Sequence, residues 1–195
     1  MTRDLTADLA AFQAPTALTP PTLPVSDVSY VVEDTVIGRM LLASNASGAL
    51  VASAFLGERG TEDDWLARLS RSISPRVLRQ PRALDPARRE LEDYLAGRLH
   101  AFDLPVDLVL ATPFQRVVLG RLGEAVHYGE RTTYGDLARR IDRPSASRAV
   151  GAALGANPLC VVLPCHRVVA SSGALTGYAG GLAAKEYLLS LEARG

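Results

Sequence analysis

The chain has 195 residues, 48% of them hydrophobic and 22% charged, the balance of a soluble globular protein with room for one ample domain or two small ones. Its 21 basic and 21 acidic side chains cancel, which excludes a uniformly basic nucleic-acid binder. No apolar run is long enough to span a bilayer, and the N-terminus lacks the apolar core of a signal peptide, so no membrane contact and a cytoplasmic location are expected. The zero net charge conceals an asymmetry. Residues 1–111 hold 11 Arg against 15 Asp and Glu, a net −4, whereas residues 112–195 hold 10 basic and 6 acidic side chains, a net +4. An anionic partner would be met by the C-terminal half. Two cysteines, Cys160 and Cys165, are too few for a disulfide scaffold, and with His100, His127 and His166 they show no finger spacing; no metal is expected.

Residues 1–27, rich in Thr, Ala and Pro, read as a mobile tail. Three β-like stretches follow between Val28 and Leu56 (VSYVVE, GRMLLAS and GALVASAFL), and the intervening glycines suggest a small antiparallel meander. TEDDWLARLSR, acidic at its start and basic at its end, has the charge polarity of a helix. PARRELEDYLAGR starts with a proline suited to a first helical turn and puts Leu91, Tyr94 and Leu95 on one apolar face. Residues 105–111 form a connection between an α/β part over 28–104 and a more helical part over 112–195.

The second part opens at Thr112-Pro113, where Phe114, Val117, Val118 and Leu122 are spaced as one buried helical stripe. Thr133-x-x-Asp136 resembles a capping box for a short helix through Ile141, which Arg143-Pro144 breaks. Ser145 can cap the next helix, SASRAVGAALGA. Two short helices with arginines around their turn have the outline of a helix-turn-helix, and also of an ordinary core-packing pair. The many Ala and Gly residues of the second helix suit close approach either to a neighbouring helix or to the floor of a groove.

Leu159-Cys160-Val161-Val162-Leu163 reads as a buried strand that Pro164 ends. Cys165-His166-Arg167 follows. An imidazole or a cation near a cysteine lowers its pKa and makes it nucleophilic. Neighbours on an extended chain point opposite ways, so a turn or a bridging water is needed for His166 to serve Cys165. On these residues alone, a buried structural thiol and a nucleophile are both open.

A set of motifs in order goes further: Pro113-Phe114-Gln115, Tyr128-Gly129-Glu130, Thr133-Tyr134-Gly135, Arg148-Ala149-Val150-Gly151, Asn157-Pro158, Pro164-Cys165-His166-Arg167, Ser171-Ser172-Gly173, Gly177-Tyr178-Ala179-Gly180-Gly181 and Lys185-Glu186. Over residues 105–193 this order resembles the O6-alkylguanine-DNA alkyltransferases; the N-terminal part is similar only in outline. The resemblance implies an α+β fold: a small antiparallel sheet with helices, RNase H-like in that family, followed by a mostly helical domain with a winged helix-turn-helix. It implies a suicide methyltransferase that flips O6-alkylguanine out of duplex DNA and moves the alkyl group to Cys165, one event per molecule and without a cofactor. O4-alkylthymine is a second candidate substrate.

By the same resemblance, His166 activates Cys165 through a water, Glu192 orients His166, and Asn157 braces the turn. Tyr134 protonates the departing base and crowds its phosphate. Arg148 fills the vacated stack from the minor-groove side. Gly135, Arg143, Ala149, Gly151 and Ser171 join Tyr134 and Arg148 in holding DNA, while Val168, Tyr178, Ala179 and Gly180 line the base pocket. The partner is double-stranded DNA carrying the lesion, and the protein is expected as a monomer, with cooperative binding along DNA open. Leu119 departs from the Trp common in the family. The alternatives are a lesion-binding protein without chemistry, a winged-helix regulator, and a thiol hydrolase with turnover.

Overall fold

A computed structural model describes residues 27–57 and 60–194. The tail expected over residues 1–27 falls, apart from Asp27, outside them. Strands β1 (Val28–Thr35), β2 (Gly38–Asn45) and β3 (Leu50–Phe55) form the antiparallel meander that the alternating apolar residues suggest. Helix α1 (Glu62–Ser72) starts at Thr61, whose side chain caps the Asp64 amide while the Asp64 carboxylate accepts from the Thr61 amide. A short strand β4 (Val77–Arg79) then pairs parallel to β1, giving the order β3-β2-β1-β4. The sheet is thus mixed, where the sequence suggests a purely antiparallel one. β4 has three residues and no alternation, so only its partner strand makes it a strand.

The sheet buries both faces. Leu41, Ala43 and Val51 pack with Leu69 of α1 on one side. Val31, Met40 and Leu42 face the other, where α2 (Asp85–Leu95) lays Ala87, Leu91, Tyr94 and Leu95 against them. That second cluster continues without interruption into the C-terminal helices: α3 (Pro113–Ala125), α4 (Tyr134–Arg140), α5 (Ser147–Gly155) and α6 (Gly181–Glu192). Two-residue strands β5 (Thr132–Thr133) and β6 (Val168–Val169) pair in parallel between them. Among the described residues no helix is long and apolar enough to cross a membrane.

Three local expectations change. Thr112 and Gln115 close a capping box at the start of α3, but Val117 is 55% exposed and the buried stripe runs through Val118, Leu119 and Leu122. The side chain of Ser145 does not cap α5, whose first turn follows Ala146 with no side-chain cap. Residues Leu159 to Leu163 form a tight turn rather than a strand: the Leu163 amide reaches back to the Leu159 carbonyl at 2.8 Å, and Val161 takes a left-handed φ of 73°. An apolar run reads alike for a strand and for a buried turn, because burial sets its composition in both.

This turn is fixed from the sheet side. The outer edge of β3 docks onto it through Ser53, whose amide donates to the Pro158 carbonyl (2.8 Å) and whose hydroxyl donates to the Cys160 carbonyl (2.8 Å). The Cys160 amide returns the bond to the Ser53 carbonyl at 2.7 Å. An edge strand with unpaired peptide groups thereby becomes a mount for the segment that precedes Cys165.

Candidate active site around Cys165

After this turn the chain passes Pro164 and winds into one 3-10 turn, Cys165–Arg167. That turn replaces the extended chain, and all three side chains of Cys165-His166-Arg167 are held in the interior. Cys165 is 7% exposed and His166 is fully buried. The Asn157 amide donates to the Cys165 sulfur (3.2 Å) and to the Leu163 carbonyl (3.1 Å), while its own carbonyl oxygen accepts from the Leu159 amide (2.9 Å). One side chain therefore holds both the sulfur and the loop that carries it.

The Cys165 thiol lies below its ordinary pKa. Hydrogen bonding from Cys160 is the largest influence, and the Asn157 amide and the Lys185 ammonium act the same way against desolvation. Cys160 moves oppositely, raised by its hydrogen bond with Cys165 and by burial, so of the two thiols Cys165 ionises first. Lys185 is wholly buried, with its ammonium donating to the carbonyls of Val168 (2.6 Å) and Thr176 (3.0 Å).

Behind the cysteine lies a cluster of charges. His166 Nε2 sits 2.6 Å from Glu192 Oε1, and Arg167 Nε donates to Glu192 Oε2 at 2.9 Å. The Gly129 amide donates to the same Oε2 at 3.2 Å, from a backbone with φ of 78°. The Tyr94 hydroxyl donates to Oε1. Burial alone would raise the Glu192 carboxyl, but its bonds and charge contact with His166, Arg167 and Tyr94 prevail and hold it at about 2. His166 is pushed below 6.5, chiefly by desolvation and against the pull of Glu192, so its ring is neutral at pH 7. A carboxylate only accepts, so the ring proton lies on Nε2 and the lone pair on Nδ1. Nδ1 has no hydrogen-bond partner among the described residues, and neither has the buried Tyr178 hydroxyl.

Comparison with known proteins follows the same outline. Residues 113–194 match the family model described as 6-O-methylguanine DNA methyltransferase, DNA binding domain. A methylated-DNA–protein-cysteine methyltransferase of Methanosarcina acetivorans is 39% identical over 165 residues, 84% of this chain and 97% of that one. The chain belongs to this family. The Salmonella typhimurium methyltransferase is 50% identical over 103 residues, 53% of this chain and 60% of that one. Among solved structures, Mycobacterium tuberculosis O6-methylguanine methyltransferase superposes with a TM-score of 0.73 at 39% identity, covering 86% of this chain and 93% of that chain. A structure of M. tuberculosis OGT in complex with DNA gives 0.73 at 36% identity, covering 85% and 93%.

The remaining residues that resemblance to the methyltransferase family singles out fall into a buried group near Cys165 and a more exposed group on α4, α5 and the loops that follow. Val168 and Tyr178 are buried next to Cys165, with the Tyr178 ring edge-on to His166 (6.2 Å) and to Phe55 of β3 (5.4 Å); Ala179 and Gly180 are half-buried. A methyl group on Gly180 would meet the Phe55 ring at 2.6 Å, so only glycine fits where this loop passes the sheet. Tyr134 begins α4, its hydroxyl 2.9 Å from Thr176 Oγ1, and Gly151 of α5 lies under its ring. The small residues of α5 divide: Ala153 packs inward with Val150 and Leu154, while Arg148, Ala149, Ala152 and Gly155 form an exposed strip. Gly135 is half-buried and Ser171 exposed, and Arg143 stacks over the Phe114 ring at 5.8 Å.

Three members of the buried cluster escape sequence reasoning. Tyr94 reads as a core residue of α2, and its hydroxyl gives no periodic signal. Arg167 and Lys185 stand inside recognised motifs, yet nothing in the chain indicates that charged side chains there are buried. What the sequence does offer is their company, an Arg directly after a Cys-His pair and a Lys sharing the final helix with Glu192, which gives no sign of burial.

Proposed function

We propose that the chain repairs DNA by direct reversal of alkylation, taking the alkyl group from O6 of guanine onto Cys165 and ending as S-alkylcysteine, one event per molecule. The observation that carries this reading is that the residue following a thiol held by Asn157 is a buried histidine whose Nε2 is engaged by Glu192 and whose Nδ1 has no partner among the described residues. In the displacement a sulfur–carbon bond forms as the carbon–O6 bond breaks. The thiol proton passes to His166 through a water, and Tyr134 protonates N3 of the departing guanine. Glu192 stabilises the imidazolium that results, which is the role of the third member in other nucleophile–base–carboxylate arrangements.

The DNA side of the proposal rests on α5. Its exposed strip of Ala149, Ala152 and Gly155 next to Arg148 is slim enough for a minor groove about 6 Å wide. Arg148 enters the stack as the lesion leaves it, which offsets part of an extrusion cost of a few kcal/mol. Gly135, Gly151 and Ser171 let the phosphate backbone approach, and Arg143 adds a phosphate contact. Val168, Tyr178, Ala179 and Gly180 wall the base. The turn of Ala170 to Ala174 beyond β6 is the wing of a helix-turn-helix, supported by its internal bonds of 2.8 and 3.1 Å. The β3-β2-β1-β4 order supports an RNase H-like first domain over 28–104, joined by 105–111 to a repair domain over 112–195.

Incubation with a duplex containing O6-methylguanine, followed by intact mass, tests the proposal. One hydrogen is replaced by one methyl in the native chain and none in Cys165→Ala. A native chain that gains no methyl overturns it, and many turnovers per molecule would identify a hydrolase instead. Arg148→Ala should weaken repair of duplex far more than reaction with the free alkylated base; equal losses would remove Arg148 from the stack.

A further inference from the structure

We infer that Tyr94 is a positioning residue for alkyl transfer: its hydroxyl, delivered by α2 from the sheet-bearing half, decides where the protons of the His166–Glu192 pair reside. This rests on the reading of Cys165 as alkyl acceptor and His166 as its base.

The direction of each hydrogen bond is forced. Arg167 carries donors only, and its Nη2 points at the Tyr94 oxygen (3.4 Å), so the tyrosine oxygen is the acceptor there. The Tyr94 proton must then go elsewhere, and Glu192 Oε1 takes it. The phenol stays protonated, because burial first and the Glu192 charge second both raise its pKa. Oε1 consequently accepts from two donors, Tyr94 and His166 Nε2, while Oε2 accepts from Arg167 and the Gly129 amide. Four donors on one carboxylate make it a poor base. It cannot draw the Nε2 proton off the ring, so the imidazole keeps the tautomer whose Nδ1 carries a lone pair and has no partner among the described residues.

The charged and titratable groups around His166 are Glu192 and Lys185 from α6, Arg167 and Cys165 from its own turn, Tyr94 from α2 and Tyr178 from the pocket loop. Arg167 and Lys185 favour the neutral ring and Glu192 favours the charged one. Removing the Tyr94 proton leaves more negative charge on Oε1 for the imidazole. His166 then stays protonated to higher pH and is unavailable as a base over a wider range.

A hydroxyl on the same seam provides the control. Tyr187 of α6 donates to the Leu95 carbonyl at the end of α2 (3.0 Å), which ties the two halves together without touching the cluster. The experiment compares Tyr94→Phe with Tyr187→Phe, measuring single-turnover methyl transfer to the protein from a methylated duplex across pH, and the His166 ring nitrogens by NMR. Tyr94→Phe, which keeps the ring stacked on Phe102 at 4.9 Å, should still gain one methyl per molecule. Its transfer should be about tenfold slower at pH 7, the cost of one hydrogen bond to a charged acceptor. The acid limb of its rate profile should move to higher pH, and the proton on Nε2, left as the sole donor to Oε1, should shift further downfield as its hydrogen bond strengthens. Tyr187→Phe should keep the native profile and signature. Native pH dependence and ring signals in Tyr94→Phe overturn the inference, as does an equal slowing of both variants at unchanged pH dependence. A native protein that takes no methyl would sink the proposed function instead, and the ring signals would still report on Tyr94.

Discussion

The two halves of the molecule handle buried polarity in opposite ways. In the sheet-bearing half the buried polar residues are serines (Ser29, Ser44 and Ser53), which a neighbouring carbonyl or amide can satisfy. In the helical half they are Asn157, His166, Arg167, Lys185 and Glu192 along with Thr132. Taking ions out of water costs several kcal/mol each, and their mutual attraction returns that only when every partner is in place. The first half is accordingly built for stability and the second for chemistry. The difference teaches where substitutions will hurt: a missing partner in the cluster strands a charge, whereas one in the sheet strands a dipole.

The largest effect should come from Glu192→Gln, which leaves Arg167 buried without its anion. A loss of about 4 kcal/mol is expected by denaturant titration. The native chain should also lose stability in acid where this variant loses less. Glu192 is lowered in the folded protein, so its contribution is present above its ordinary 4.5 and lost as pH falls toward about 2. His166, lowered below 6.5, acts in the same direction from pH 6.5 downward. Next is Lys185→Met, which leaves the Val168 and Thr176 carbonyls without their donor. It should cost about 3 kcal/mol and slow alkyl transfer, since the ammonium that favours the Cys165 thiolate is gone. Gly180→Ala should cost about 2 kcal/mol through its clash with Phe55, and Phe55→Leu in the same chain should restore part of it, as a melting curve of the double variant would show. The smallest effect is expected for Ser53→Ala, about 1 kcal/mol for the hydroxyl bond to Cys160. A loss there as large as for Glu192→Gln would erase the contrast between the halves.

Much of this was readable in the chain. Three strands, the two flanking helices of the first half and α3 to α5 of the second follow from alternation, helical spacing and capping residues. Cys165, His166, Asn157 and Glu192 were singled out together by resemblance, and the structure joins them as two hydrogen-bonded pairs, Asn157 with Cys165 and His166 with Glu192. What escaped is what depends on distant partners. β4 exists because β1 is beside it. Val117, expected in the stripe, is 55% exposed while Leu119, outside it, is fully buried, because burial is set by where α3 meets its neighbours. Val161 sits in a conformation that a β-branched residue avoids, held by the bonds from Ser53 and Leu163 around it. Tyr94 is separated from Glu192 by 98 positions, and no local pattern links them.

The Lys185 contacts have a practical consequence. It is the only lysine in the sequence, and it is fully enclosed. Amine-directed reagents therefore meet no ε-amino group on the native molecule, and coupling through such chemistry is confined to the chain's α-amino end. A molecule that opens, even briefly, presents one new reactive amine. Timed acylation followed by mass analysis would count those openings directly, making this side chain a built-in recorder of how often the interior is exposed.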